Sequence, residues 1–194
     1  MIELSASVST GAVDEFSTRF SKQAGLIYQA KSPPDVASIV NDLIKSRAKG
    51  ESCCSDDIEI TFDGSKLNIS DQIRGTTRYI SLKKETRRVV GQIDLGVTKA
   101  DYGIAETGTI VDISYTDEHR LLSALTRVHV AVLERSRILA RLSDLSPIMS
   151  GLLNPENPQK PAVSFIGGPS RTSDIELKSV LGVHGPHEVH VVLI

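Results

Sequence analysis

Short apolar segments separated by helical patterns recur along this chain of 194 residues. Several are continuous apolar runs, which are typical of strands covered on both faces. Strands that alternate with helices predict an α/β fold with an open, mainly parallel sheet flanked by helices. One strand is followed by Asp63-Gly64, which predicts a hairpin. The predicted strands are residues 26–28, 58–62, 78–82, 93–97, 109–114, 129–133, 163–166 and 189–194.

Four helices are predicted from apolar residues at helical spacing. The clearest begins at Pro33 and stops before Gly50, with Ser32 in the N-cap position and Asp35 where a capping-box acid belongs. Three further helices are predicted over residues 12–24, 117–126 and 138–153.

Size and composition predict one globular domain over residues 1–194, because a chain of this length buries about 70% of its unfolded surface. The net charge of −2 gives no electrostatic reason to expect nucleic acid or an anionic membrane as partner. No apolar run approaches the roughly 20 residues that span a bilayer. The first ten residues lack the basic and apolar regions of a signal peptide, so a cytoplasmic location is expected.

The two cysteines, Cys53 and Cys54, are adjacent in the sequence. Neighbouring strand residues point to opposite faces, so a disulfide between them would be strained. The chain has no C-x-x-C spacing, which excludes a zinc or iron–sulfur site built from the cysteines of one chain. We interpret them as small buried hydrophobic residues, with a redox role as the alternative.

A glycine-rich turn at residues 167–170 follows the strand at residues 163–166. Ser173 and Glu176 match the S-x-x-E capping box, which predicts that a helix begins here. Arg171 would then lie at the positive end of the helix dipole, where a cation costs electrostatic energy unless an anion is near. Neither G-x-G-x-x-G nor G-K-[ST] occurs, so this is not a dinucleotide or P-loop fingerprint.

The turn is therefore a candidate anion site for a carboxylate or phosphate group. The alternative is that Arg171 pairs with an acid elsewhere in the fold, such as Glu106 or Asp174. The candidate anion-binding residues at this turn are Gly168, Ser170, Arg171 and Thr172.

A second candidate segment directly precedes the strand at residues 109–114. Glu106 could act as a general base or accept a hydrogen bond from a hydroxyl, and Thr107 and Thr109 could donate to a carboxylate or phosphate. Gly108 would let a ligand or another backbone come close, and Asp101 could extend the cluster. The alternative is a turn whose hydroxyls satisfy local backbone groups, with Glu106 in water.

A third candidate is His184, in a loop between Gly182 and Pro186. A histidine in such a loop can serve as acid or base near neutral pH, or it can simply be hydrogen-bonded into the loop. His187 and His190 would face opposite sides of a strand, which does not converge on a metal, so no metal site is predicted.

Three segments, residues 96–109 (GVTKADYGIAETGT), 168–176 (GPSRTSDIE) and 181–186 (LGVHGP), together resemble the LUD domain of the lactate-utilisation protein C (LutC/YkgG) family. The resemblance is best from residue 91 to the C-terminus. It implies a single LUD domain with a ribose-5-phosphate isomerase/CoA-transferase-like α/β fold. Likeness of fold does not transfer the chemistry of those enzymes.

The resemblance also implies a role in the oxidation of L-lactate to pyruvate within a multi-subunit complex. The family's partner subunits carry iron–sulfur clusters, and this chain resembles the small subunit without clusters, which agrees with its lack of cysteine motifs. In this interpretation Arg171 and nearby backbone N–H groups bind a small carboxylate or a partner's acidic group. Glu106 or His184 would then handle a proton.

Two other functions remain compatible with the sequence. One is a stand-alone enzyme of sugar-phosphate isomerase or acyl-transfer type, with Glu106 as base or nucleophile. The other is a non-catalytic binding or regulatory module whose loops dock a partner protein. The catalytic interpretations require that Glu106, Arg171 and His184 meet at the carboxyl edge of the sheet.

Overall fold

The computed structural model describes residues 10–55, 58–73, 92–156, 158, 160–173, 179–181 and 185–194. Its helices are α1 (Thr10–Lys22), α2 (Pro33–Arg47), α3 (Asp117–Leu125) and α4 (Ser146–Leu152). Its strands are β1 (Leu26–Gln29), β2 (Glu51–Cys54), β3 (Glu59–Phe62), β4 (Ser65–Asn68), β5 (Ile93–Lys99), β6 (Tyr102–Ile104), β7 (Thr109–Ser114), β8 (Val128–Leu133), β9 (Ile138–Leu139), β10 (Ala162–Ile166), β11 (Arg171–Ser173), β12 (Ser179–Leu181) and β13 (Glu188–Leu193).

Five parallel strands form the central sheet in the order β1-β13-β8-β5-β2. All six residues of β8, the middle strand, are buried, because elements cover both faces of the sheet. The predicted α/β fold with a parallel sheet flanked by helices is therefore confirmed.

The two faces of the sheet carry separate apolar clusters. Val130 and Val132 of β8 pack with α2 on one face, and Ala131 and Leu133 pack with α1 on the other. This alternation follows from the two-residue repeat of a strand. The cysteines obey the same rule and are both buried, as predicted, with Cys54 in the α2 cluster and Cys53 against Leu122 of α3.

A second sheet of four strands, β10-β7-β6-β9, lies on the α1 side and was not expected. It is antiparallel apart from the parallel pair of β6 with β9. The predicted helix over residues 138–153 is wrong in its first half, because Ile138–Leu139 pairs with β6 and Leu142–Leu145 is a 3₁₀ turn. The α-helix begins only at Ser146, with Pro147 in its first turn, where a proline is tolerated.

The hairpin predicted from Asp63-Gly64 is confirmed as β3 and β4. The φ angles of these residues are +48° and +75°, as a tight two-residue turn requires. The strand predicted at residues 78–82 lies outside the described residues.

The predicted helices at residues 12–24, 33–49 and 117–126 are confirmed as α1, α2 and α3. The cap of α2 differs from the expectation, because the side chain of Ser32 accepts no capping hydrogen bond. Pro33 and Pro34 have no N–H to offer, and the N–H of Asp35 donates to the carbonyl of Ser32. The carboxylate of Asp35 accepts instead from the backbone N–H of Lys31, at 2.9 Å.

Among the helices that the structure describes, none is both long enough and apolar enough to cross a membrane.

Candidate functional site

The turn that contains Gly108 packs against the C-terminal end of α1. Gly108 has a φ of +61°, and a Cβ atom there would lie 2.6 Å from the backbone of Arg19 and Phe20. The Nε2 atom of Gln23 donates to the carbonyl oxygens of Thr107 and Gly108, at 2.9 Å each. The absent side chain of Gly108 thus makes room for another backbone rather than for a ligand.

The second glycine-rich segment meets the same glutamine. A Cβ atom on Gly167 would lie 2.5 Å from Oε1 of Gln23, and one on Gly168 would lie 2.6 Å from its main-chain oxygen. The guanidinium of Arg171 donates to that oxygen at 3.0 Å. Two segments that are far apart in the sequence therefore converge on Gln23; we call this contact region the Gln23 junction.

The predicted helix at Ser173 is wrong where the chain is described, because Arg171–Ser173 forms a strand that pairs with Ser179–Leu181. Residues 174–178, and with them Glu176, lie outside the described residues. The dipole argument for Arg171 is consequently reversed. Its guanidinium binds a carbonyl just beyond the C-terminus of α1, where a cation is favourable.

The expected location at the carboxyl edge is also wrong for Arg171. Gln23 leads into Leu26, the first residue of β1, and so lies at the amino edge of the parallel sheet. Thr172 continues β11 and pairs with Val180.

Glu106 connects the Gly108 turn to the 3₁₀ turn at Leu142–Leu145. Its side chain is exposed, and Oε2 accepts a hydrogen bond of 3.0 Å from the N–H of Leu142. Its own N–H donates to Ala140 at 3.0 Å. Thr107 is exposed, and Thr109 opens β7 opposite Ile104. Glu106 thus lies on the turn whose next two residues bind Gln23.

His184 itself lies outside the described residues, but the end of its loop does not. The N–H of Ser170 donates to the carbonyl of Pro186 at 2.8 Å. Gly185 is also adjacent, since a Cβ atom there would lie 3.1 Å from the Cβ of Ser170. The third candidate segment is therefore attached to the Arg171 segment.

A buried group of acids and histidines lies between β5, β7, β8 and α3. Nε2 of His119 is 2.9 Å from Oδ1 of Asp112, which is 1% exposed. Nε2 of His129 is 2.8 Å from Oγ1 of Thr98, and both side chains are fully buried. Burial lowers the pKa of His129 to about 4, so this imidazole is neutral at physiological pH.

Asp101 borders this buried group. Its Oδ2 accepts a hydrogen bond of 2.7 Å from the N–H of Ile113. Burial raises the pKa of Asp101 to about 6, and the nearby charge of Asp112 acts in the same direction. A carboxyl group that titrates near neutrality can both take up and release a proton, which is characteristic of functional acids.

The sequence analysis included Asp101 but missed Asp112, His119 and His129. A signal existed for two of them, because Asp112 and His129 stand inside apolar strand segments, TIVDIS and VHVAVL. A polar side chain buried there is costly unless it finds a polar partner. Among the described residues, no group of three or more His, Cys, Asp and Glu side chains is placed to hold a metal ion.

Comparison with known proteins identifies the relatives of this chain. A family model described as the LUD domain matches residues 13–194. Three similar curated proteins are each called lactate utilization protein C. The one from Exiguobacterium sp. is 32% identical over 114 residues, 59% of this chain and 50% of the relative. The one from Bacillus pumilus is 35% identical over 104 residues, which are 54% of this chain and 43% of the relative. The one from Geobacillus kaustophilus is 24% identical over 189 residues, and the match covers 93% of this chain and 79% of the relative.

The chain spans about half the length of the first two of these relatives. A solved structure has the same fold: the crystal structure of a DUF162 family protein from Deinococcus radiodurans superposes with a TM-score of 0.61 at 14% identity. This match covers 94% of this chain and 96% of that one. Because the family model extends over nearly the whole sequence, we conclude that the chain belongs to the LUD domain family.

Proposed function

We propose that this chain is the cluster-free subunit of an L-lactate-oxidising iron–sulfur complex, and that it binds a small carboxylate at Arg171. The name shared by its relatives, lactate utilization protein C, supports the pathway. The observation that carries the carboxylate site is the state of Arg171. Its side chain is exposed at the Gln23 junction and, among described groups, it donates only to the carbonyl of Gln23.

A carboxylate suits the remaining donors of Arg171. A guanidinium has five N–H groups in a planar fork that matches carboxylate geometry, and Gln23 occupies one terminal nitrogen. In this proposal the exposed Thr107 and the half-buried Ser170 lie on the adjoining segments and complete the anion site. Glu106 on the same turn accepts a hydrogen bond from a substrate hydroxyl, and Glu106 or His184 takes the proton.

In this proposal the electrons released by lactate oxidation are transferred to another subunit. Oxidation of L-lactate to pyruvate releases two electrons and two protons, and Cys53 and Cys54 are buried on opposite faces of β2, where they cannot hold a cluster together. The proposal therefore assigns the electrons to iron–sulfur clusters of partner subunits, while this chain contributes substrate binding and proton transfer.

The test is to purify the affinity-tagged chain from the cells that naturally produce it. We expect proteins with iron and acid-labile sulfide to accompany it, and the assembly to reduce an artificial electron acceptor when L-lactate is added. Arg171→Ala should raise the KM for lactate at least about tenfold, the loss of one charge-assisted contact. The control is Arg120→Ala, an exposed arginine that pairs with Asp117.

Two results would contradict the proposal. If neither iron nor sulfide accompanies the chain, it is not part of an iron–sulfur complex. If the complex oxidises lactate equally well with Arg171→Ala, the carboxylate does not bind at this arginine.

A further inference from the structure

Two cationic side chains meet one buried carboxylate at the carboxyl ends of β5 and β8. Lys99 ends β5 and Glu134 directly follows β8. Nζ of Lys99 lies 3.4 Å from Oε1 of Glu134, and Nε of Arg137 lies 3.6 Å from the same oxygen. The Glu134 side chain is 5% exposed. These three residues, the Glu134 trio, together carry a net charge of +1, and Lys99 is also near the carboxyl groups of Glu59 and Asp101.

The hydrogen-bonding groups of the trio are not saturated. Distances of 3.4 and 3.6 Å exceed the 2.7–2.9 Å that is typical of charge-assisted bonds. Within the described chain, Oε1 of Glu134 accepts no hydrogen bond, and neither Lys99 nor Arg137 donates one from its side chain. The Arg137 guanidinium lies over the ring of Tyr102, 5.6 Å from its centroid, which limits its movement.

A neighbouring arginine, Arg135, has acceptors for its guanidinium donors at this edge of the sheet. The guanidinium of Arg135 donates to the carbonyl of Ala30 at 3.1 and 3.2 Å and to Oε1 of Gln29 at 2.7 Å. Arg135 is thus a structural connection between the segment after β8 and the end of β1. Arg137, two residues later, has five donors and no such acceptor among the residues that the structure describes, so its donors are open to a ligand there.

The topology also favours a ligand here. After β2 the chain moves to the α2 face, where Ile58 joins the core. After β5 it moves to the opposite face, where Ala100 packs with α1. Adjacent strands whose connections leave to opposite faces open a crevice at their carboxyl ends, and ligands of open α/β sheets bind in such crevices. Lys99, at the end of β5, lies beside this crevice between β2 and β5, and Glu134 and Arg137 follow β8 on the other side of β5.

We infer that Lys99 and Arg137 bind a small oxyanion, either a carboxylate or inorganic phosphate, above the carboxylate of Glu134. A bound monoanion would bring the charge of the trio to zero and would supply acceptors for both cations. This site is separate from the one proposed at Arg171, because Gln23 precedes β1 at the amino edge of the sheet, whereas the trio lies at the carboxyl edge.

Isothermal titration calorimetry on the full chain tests this inference, with sodium phosphate and sodium L-lactate titrated separately at constant ionic strength. The variants are Lys99→Met and Arg137→Met, with Lys99→Arg as the charge-retaining variant. The matched control is Lys66→Met, which removes a lysine from the exposed ion pair with Glu59. Arg171→Ala reports on the other proposed site.

We expect at least one of the two anions to bind, with affinity about tenfold weaker in both methionine variants, which is 1.4 kcal/mol. Lys99→Arg and Lys66→Met should bind this anion like the wild type. Any part of the binding signal that Arg171→Ala removes belongs to the Gln23 junction. The identity of the bound anion distinguishes a phosphate ligand from a carboxylate. If Lys99→Met fails to fold, the test rests on Arg137→Met, which should fold because the Arg137 side chain is 38% exposed.

The inference is overturned if neither anion binds with a Kd below about 10 mM. It is equally overturned if both methionine variants bind like the wild type. Loss of binding in Arg171→Ala alone would assign the anion to the Gln23 junction and support the proposed function instead. Loss in the methionine variants alone supports the Glu134 trio and leaves the lactate-oxidation assay as the test of the proposed function.

Discussion

Arg171 donates a hydrogen bond of 3.0 Å to the main-chain oxygen of Gln23, which precedes it by 148 residues. The side chain of the same glutamine binds Thr107 and Gly108. Gln23 therefore connects the end of the first helix to two of the three segments on which the family resemblance rests.

Replacing Gln23 by alanine should destabilise the fold. The change removes two hydrogen bonds from Nε2 to the carbonyls of Thr107 and Gly108, and we expect the free energy of unfolding to fall by about 1–2 kcal/mol in urea denaturation. Gln72→Ala is the control, because this residue is exposed and its hydrogen bonds within the described chain are made by main-chain atoms. An unchanged urea midpoint for Gln23→Ala would show that the junction contributes nothing to stability.

Gly108→Ala should be more damaging than the same substitution at a glycine with open space around it. It combines a φ of +61° with a Cβ atom 2.6 Å from the backbone of α1, and the expected loss is at least about 2 kcal/mol.

Two control glycines separate the contributions. Gly64 has a φ of +75° and open space around it, so Gly64→Ala measures the conformational cost alone, about 1 kcal/mol. Gly151 lies in α4 with open space, so Gly151→Ala should be neutral or stabilising by up to about 1 kcal/mol. Equal losses at Gly108 and Gly64 would contradict the close contact with α1.

The pKa of Asp101 predicts how stability depends on pH. Its pKa is about 6 in the folded chain against an ordinary value of 3.8, so between these pH values the folded state holds a proton that the unfolded state has lost. Ionised Asp101 therefore costs stability at pH 7. Asp101→Asn should stabilise the protein there by roughly 1–3 kcal/mol and have little effect below about pH 4. Equal effects of the variant at both pH values would refute the raised pKa.

The buried imidazole of His129 should make the protein less stable as the pH falls, the opposite of the effect of Asp101. Its pKa is about 4 in the folded chain against an ordinary value of 6.5, so between these pH values only the unfolded state takes up the proton. Its contribution to stability is complete above pH 6.5 and is lost as the pH falls towards 4. Urea denaturation of His129→Gln should show less acid destabilisation than that of the wild type. A variant whose stability depends on pH like the wild type would show that His129 does not titrate in this range.

Local sequence patterns predicted those elements whose burial is visible along the chain. The strand at Thr109–Ser114 was predicted at its exact bounds, and Asp63-Gly64 indicated the hairpin, because both depend on neighbouring residues. The segment from Ile138 was mistaken for helix, since its apolar spacing does not show that Ile138 pairs with Gly103.

The candidate site was predictable in part. Gly108 indicated that a ligand or another backbone comes close, but not that the approaching group is the end of α1. Gln23 belongs to no motif, and its role depends on contacts with residues more than 80 positions away. The helix expected at Ser173 failed because the cap pattern S-x-x-E is also compatible with a strand whose partner, Ser179, follows shortly afterwards.

The most direct test of the central claim, that this chain itself binds a small carboxylate, is the free energy of unfolding of the chain measured in urea with added ligands. The ligands are L-lactate, pyruvate, inorganic phosphate, sugar phosphates and coenzyme A. L-lactate or pyruvate at 100 times its Kd should stabilise the wild type by about 2.7 kcal/mol, and Arg171→Ala should be stabilised less at the same ligand concentration. Stabilisation by sugar phosphates or coenzyme A but by neither carboxylate would contradict the claim, as would a chain that none of these compounds stabilises.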